Sequence, residues 1–190
     1  MARAGVTAER LTRAAADLAD EIGFQNVTVS ALARGFAVKP AALYAHIKDI
    51  QDLRVRVAEL ALGELADKVT EALAGRAGKD ALVAFAGAYR DYAKEHPGRY
   101  YAAAQIELDP QTAATSAAWR HSEMTRALLR GYDLSGPDQT DAIRLLGSVL
   151  HGYVSLETAG RFARHPRDVD ASWSRSLDAL DVLLTHWPPA

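Results

Sequence analysis

The sequence predicts an all-α fold of about nine helices, a three-helix head of helix-turn-helix plan joined to a larger helical body. Two observations predict it. No run alternates apolar and polar residues with the β-branched enrichment of a strand. Apolar positions instead recur at three- and four-residue spacing along an alanine-rich chain, between Thr and Asp at expected helix starts and Gly and Pro at expected ends.

The first helix is expected over about 7–22, where Leu11, Ala15, Leu18 and Ile22 form one stripe and Gly23 offers a left-handed terminal residue. Thr28 is placed to cap a short second helix, with Leu32 and Ala33 inward and Arg34 near its end. A third short helix, about 39–46, carries Pro40 in its first turn, where a missing N–H costs nothing. Asp49 caps a long fourth helix reaching about Leu73, and Asp52 three residues on is close to a capping box. Gly75 and Gly78 bracket a linker. The fifth helix, about 80–95, stops before Pro97, because proline disfavours helical backbone at the residue preceding it. The sixth runs from Pro97 to about Leu108, the seventh from Asp109-Pro110 to near Gly131, and the eighth from Gly136-Pro137 to near Phe162. The ninth covers about 171–184, with Asp170 as its cap. The head, residues 1–48, passes into the body, residues 49–190, through the long fourth helix instead of a flexible linker, so the two are mechanically coupled.

At 190 residues the chain can bury a sizeable core, and 49% hydrophobic with 24% charged residues is the balance of a globular protein. The absence of cysteine excludes disulfides, zinc thiolate sites and thiol chemistry. No run of 18 or more apolar residues would span a membrane, and residues 1–13 lack the apolar stretch of a signal peptide, so the expected location is cytoplasmic. The net charge of −2 is unevenly placed: residues 1–48 are mildly basic and the remainder acidic, which suits a small nucleic-acid-reading module on a larger body.

Residues 24–53 place two short helices around a tight turn and brace them with a longer helix on each side, the helix-turn-helix plan. Leu32, Val38, Leu43 and Ile47 are expected to face inward and fix the angle between the short helices. Lys39, Pro40, Ala41 and Tyr44 then lie outward, on a face able to enter a major groove. The residues Thr28, Leu32-Ala33-Arg34, the run Val38 to Lys48 and Leu53 closely resemble the tetracycline-repressor (TetR) family, and the segment Leu43-Tyr44-Ala45-His46-Ile47-Lys48 is the most specific part. Ala37 departs from the pattern, where the family usually carries glycine. The resemblance implies that Thr28 offers its hydroxyl and its helix's N-terminal amides to a phosphate. It implies that Lys39 donates to guanine while Pro40 and Ala41 touch thymine methyls. Tyr44, His46 and Lys48 would contact phosphates and set the register, with Arg34 as a further phosphate contact. Thr28 caps its helix in either case, and His46 would equally serve as a plain surface residue.

The stretch Ile143 to Phe162, with His151-Gly152 and Leu156-Glu157, resembles the eighth helix of a TetR subgroup marked by an apolar-His-Gly-x-x-x-Leu-Glu signature (WHG-like). His96-Pro97-Gly98-Arg99-Tyr100 and Asp168 to Leu183 match that subgroup's fifth-to-sixth corner and last helix. The resemblance implies a homodimer built from the last two helices. Leu145, Leu146, Val149, Leu150, Val154, Leu177, Leu180, Leu183 and Leu184 are candidates for its apolar surface, although the core of one chain needs the same residues. Gly147, Gly152 and Gly160, read as lying on one helix, would permit close approach. A small-molecule pocket is expected among Phe85, Tyr89, Tyr92, Tyr101, Trp119, Met124, His151 and Glu157, aromatics with a few polar tips. An ordinary helical core has the same composition.

No P-loop, G-x-G-x-x-G, G-x-S-x-G or H-E-x-x-H occurs, and no histidine has another three or four residues away. Neither an enzyme, a metal site nor a cofactor is expected. The expected function is ligand-responsive transcription regulation, with repression as its sign: a dimer binds a palindromic double-stranded DNA operator and an unidentified small effector releases it. Two other readings share these residues. A helical ligand-binding protein with a degenerate head is disfavoured by the presence of Lys39, Tyr44, His46 and Lys48 together, and an activator of the same fold differs only in where its operator lies.

Overall fold

The computed structural model describes residues 6–106 and 117–188, and among them all regular structure is helical. The α-helices are α1 (Ala8–Ile22), α2 (Val29–Phe36), α3 (Ile50–Leu73), α4 (Gly78–Glu95), α5 (Pro97–Gln105), α6 (Ala117–Arg130), α7 (Gly136–Thr158) and α8 (Val169–Thr185). Short 3-10 turns occupy Phe24–Asn26 and Pro40–Ala45, so the expected third helix is a 3-10 segment. The expected start of a helix at Asp109-Pro110 lies outside the described residues. Among those described, no helix is long and apolar enough to cross a membrane.

The described residues pack as two compact units, within Met1–Glu64 with Glu95–Ala118, and within Leu65–Lys94 with Trp119–Ala190. In the first unit α1 buries Leu11, Thr12, Ala15, Ala16 and Ala19. The buried face is turned towards Thr12, Ala16 and Ala19, which leaves Leu18 half-buried and Ile22, expected inside, exposed at the last turn. Its alanines have a use. Helix α5 packs so closely on α1 that a Cβ on Gly98 would stand 2.1 Å from the carbonyl oxygen of Ala19. A carboxylate joins the two helices: Asp20 accepts the Arg99 backbone N–H at 2.9 Å and lies 3.0 Å from His96 Nδ1. His96 makes no side-chain cap for α5, so Asp20 of α1 serves one of the open amides at its N-terminus. Arg99 adds contacts to Asp17 and to Glu64.

Helix α2 ends at Ala37, which takes the left-handed conformation (φ 55, ψ 42) and closes the helix with its N–H. The departure noted in the sequence therefore falls on the position where glycine is sterically free.

The second unit is organised around one arginine. Arg90 of α4 is 8% exposed; its Nε and Nη2 donate to the two carboxylate oxygens of Glu157 (2.7 and 2.6 Å), and Nη2 also donates to Asp170 at 2.6 Å. Its guanidinium lies 5.3 Å from the Trp173 ring centroid, and Lys94 Nζ sits 2.8 Å from Glu157. The hydrogen bonds from Arg90 hold the Glu157 carboxyl below the usual glutamate range. Because Asp170 turns to Arg90, the cap of α8 is Asp168, whose carboxylate accepts the Ala171 N–H at 2.8 Å. This corrects the expected cap.

Leu146, Leu150 and Val154 of α7 and Leu177, Leu180 and Leu184 of α8 are buried in the core of a single chain. Of the expected dimer surface, Leu145, Val149 and Leu183 keep exposed area. Gly160 lies beyond the end of α7, not on it. At φ +68 it is the left-handed residue that closes the helix short of Phe162.

Replacing Ala37 by Gly relieves a left-handed alanine and is expected to stabilise the protein by about 1 kcal/mol, read as a higher urea midpoint at unchanged m-value. Glu157→Gln removes the charge of the bidentate partner of a buried guanidinium, leaving Asp170 alone to balance it, and is expected to destabilise by about 3 kcal/mol at neutral pH. A carboxyl whose folded pKa is depressed stabilises above its unfolded pKa and loses that contribution as pH falls through the folded value. The gap between wild type and Glu157→Gln should therefore narrow in urea titrations taken below the ordinary glutamate range.

Candidate nucleic-acid interface

The interface is built from a short segment fixed at both ends. Thr28 enters α2 in extended conformation (φ −128, ψ 154), and its Oγ1 accepts the Ala31 N–H at 3.2 Å. Helix α2 buries Leu32 and Ala33, and the chain reverses at Ala37. Lys39 is extended, so Pro40 starts the 3-10 turn without a missing bond. Leu43 and Ile47, four residues apart, insert into the core of the first unit with 0% and 3% exposure. Val38 packs at the edge of the same core.

The other side of the turn faces solvent. Lys39, Pro40, Ala41, Tyr44 and Lys48 are exposed, as are Thr28 and Arg34 on α2; His46 is half-buried. Tyr44 leaves 54% of its surface in water, a large value for an aromatic residue in a well-packed segment. Downstream, the Asp52 N–H donates to the Asp49 carboxylate at 2.8 Å, and the Asp52 carboxylate accepts the Lys48 N–H at 2.9 Å and Arg56 Nε at 3.0 Å. The Asp52 carboxylate thus takes the Lys48 N–H, one residue before the Asp49 N–H that a capping box would use, and holds the Lys48 backbone at the start of α3 while its side chain stays exposed. Among the described residues, no carboxylate lies in salt-bridge contact with Arg34, Lys39 or Lys48. Cationic and amphipathic side chains are therefore left in solvent around a backbone that cannot shift without unseating Leu43 and Ile47.

The expected pocket residues are distributed differently. Phe85 and Tyr92 are buried in the second unit. Phe85 and Tyr89 stack with centroids 4.9 Å apart, and the Tyr89 hydroxyl lies 2.9 Å from Nδ1 of His121, a buried histidine that the sequence did not single out. No local pattern marks it, because its partner is on another helix. Met124 Sδ accepts the Thr70 hydroxyl at 3.3 Å. Trp119 is 52% exposed beside Arg126, and His151 is exposed on α7. The Glu157 carboxylate is engaged by Arg90 and Lys94. Tyr101 belongs to the first unit, where it lies against Phe24 and accepts a hydrogen bond from Gln25.

Comparison with known proteins covers both the helix-turn-helix and the C-terminal part of the chain. Residues 11–57 match the family model of bacterial regulatory proteins of the tetR family, and residues 82–180 match that of a tetracyclin repressor-like C-terminal domain. An uncharacterised HTH-type transcriptional regulator of Mycobacterium tuberculosis is 36% identical over 161 residues, which is 83% of this chain and 72% of the relative. The HTH-type regulator YobS of Bacillus subtilis is 32% identical over 175 residues, 92% of this chain and 91% of the relative. Among solved structures, the fold is similar to that of a TetR variant from Acinetobacter baumannii in complex with minocycline, with a TM-score of 0.68 at 22% identity, covering 94% of this chain and 96% of that one. Two family models and two relatives over most of their lengths agree, and the chain belongs to the TetR family of transcription regulators, proteins that bind DNA as dimers and are not enzymes, with its helix-turn-helix as the DNA-binding domain.

Proposed function

We propose that this protein is a ligand-responsive repressor, a homodimer that reads a palindromic double-stranded operator and leaves it when a small effector binds. The observation that supports this most is the two-sided turn at Pro40–Ala45: one side is pinned by Leu43 and Ile47, the other presents Lys39, Pro40, Ala41 and Tyr44 together. In this reading residues 1–48 form the reading head and residues 49–190 the effector-binding and dimerising body, working in the cytoplasm. The Thr28 oxygen accepts from Ala31, so its O–H hydrogen is left for a phosphate. Lys39 donates to a guanine edge while Pro40 and Ala41 lie against thymine methyls. Tyr44, His46, Lys48 and Arg34 bind phosphates and fix the register.

Dimerisation through α7 and α8 is supported by the apolar area one chain leaves open. Val182 is 59% and Leu156 48% exposed, with Leu183, Leu145 and Val149 also on the surface. A Cβ on Gly147 or Gly152 would meet nothing within the chain, so close approach by a second copy is a reason for glycine there that packing within one chain does not supply. The run His151-Gly152 to Leu156-Glu157 supports placing the chain in the WHG-like subgroup. Effector binding is assigned to the second unit, with Phe85, Tyr89 and His121 as its aromatic cluster and Tyr92, Trp119, Met124, His151 and Glu157 as the further set to test. DNA and effector then oppose each other as linked equilibria. Helix α3 carries the coupling, since residues on either side of position 64 belong to different units.

The test is a titration against the intergenic DNA upstream of the protein's own gene, with scrambled DNA as control, at two salt concentrations. Lys39→Ala is expected to weaken selective binding by about 1–3 kcal/mol. Tyr44→Ala, as a phosphate contact, should weaken binding to all sequences alike. Selective binding untouched by either substitution would refute the residue assignment. Failure of a genome-wide selection of bound fragments to return any operator would refute the repressor reading. Independently, Val182→Glu is expected to convert dimers to monomers in sedimentation equilibrium; a dimer of unchanged strength would place the interface elsewhere.

A further inference from the structure

A cavity of about 380 Å³ opens where α7 turns into α8, lined by Tyr153, Phe162, His165, Pro166, Arg167, Val169 and Ser172. None of these residues belongs to the aromatic cluster of Phe85, Tyr89 and His121, and the volume lies within the range of small-molecule sites. The walls are held in place from several directions. Gly160 at φ +68 closes α7, with its N–H on Glu157 O and the Arg161 N–H on Leu156 O, both 2.9 Å, which is the paired C-terminal closure that fixes the exit of a helix. The His165 N–H then turns back to Phe162 O, and Asp168 caps α8. Tyr153 stands between Phe162 and Trp173, with centroids 4.9 and 4.8 Å away, and its hydroxyl donates to the Val169 carbonyl at 3.1 Å. The apolar wall of Tyr153, Phe162, Pro166 and Val169 is thus preformed.

The loop that carries the cavity wall is cationic. Arg161, Arg164 and Arg167 fall within seven residues together with His165, of which Arg167 and His165 line the cavity, and among the described residues none of the three arginines has a carboxylate partner. The neighbouring acids are committed elsewhere, Asp168 to the Ala171 N–H and Asp170 to Arg90. Ser172 donates to the Asp168 carbonyl, which leaves Arg167 and His165 as the lining groups able to donate to an incoming anion. An arginine beside an apolar aromatic wall matches the two ends of one ligand class, since its planar fork fits a carboxylate while the rings fit a flat apolar body. We propose that the α7–α8 corner is a binding site for a small aromatic carboxylate.

The full-length protein would be titrated with 2-naphthoate by calorimetry, beside the neutral 2-naphthamide and without DNA, so that the result does not depend on operator reading. One site per chain is expected. Arg167→Gln, on an exposed loop, should weaken naphthoate at least tenfold, naphthamide should bind at least tenfold more weakly than naphthoate, and Ser172→Leu, which fills the cavity, should abolish binding. Far-UV circular dichroism and melting would verify that both variants fold. The absence of saturable naphthoate binding at millimolar concentration would overturn the proposal. So would binding that survives Ser172→Leu, which would mark a surface ion contact, or equal affinity for acid and amide.

Discussion

A six-residue 3-10 turn has almost no stability of its own, because short helical segments form few hydrogen bonds for the backbone they immobilise. The reading segment Pro40–Ala45 exists in this shape because Leu43 and Ile47 are buried beneath it, against Leu32, Phe24, Leu53 and the alanine face of α1. Everything exposed on its outer side inherits its position from that burial. Thr28 and the Asp49–Asp52 pair fix the two ends with side-chain caps. The first unit is in this sense a mount for one short segment.

Arginine joins distant parts of the chain in both units by the same physical means. In the first, Arg99 and Asp20 connect α1 to α5; in the second, Arg90 gathers Glu157 and Asp170 from opposite sides of the loop between α7 and α8. A buried ion pair adds little net stability over apolar packing but is very costly to break on one side. Its effect is to make one arrangement of helices far better than its neighbours.

What was legible in the sequence was local. The caps at Thr28 and Asp49, the start at Pro40 and the inward Leu43 and Ile47 all follow from residues within a few positions of each other, and the structure has them. The left-handed turn at Ala37 was visible as a departure from glycine, and its conformation gives the reason. Long-range partners were not legible. Nothing near Glu157 announces that Arg90 will take its carboxylate, so it reads equally well as a pocket residue, and Asp170 reads as a cap until Arg90 claims it. Helical periodicity shows that Leu146, Leu150, Leu177 and Leu184 are buried but does not say against what; one chain buries them by itself. The exposed Val182 and Leu156 carry no periodic signal that separates them from core residues.

The contact of Gly98 with Ala19 has a mechanical consequence. Helices that meet through side chains slide past one another in small steps as rotamers readjust, the shear motion of packed layers. Here the meeting surface is backbone against backbone, with no rotamer between the Gly98 Cα and the Ala19 carbonyl to take up a displacement. Close-packed contacts of this kind transmit strain instead of absorbing it. α1 and α5 must therefore travel as a single lever, and any turning has to happen at the chain segments that lead into and out of the pair.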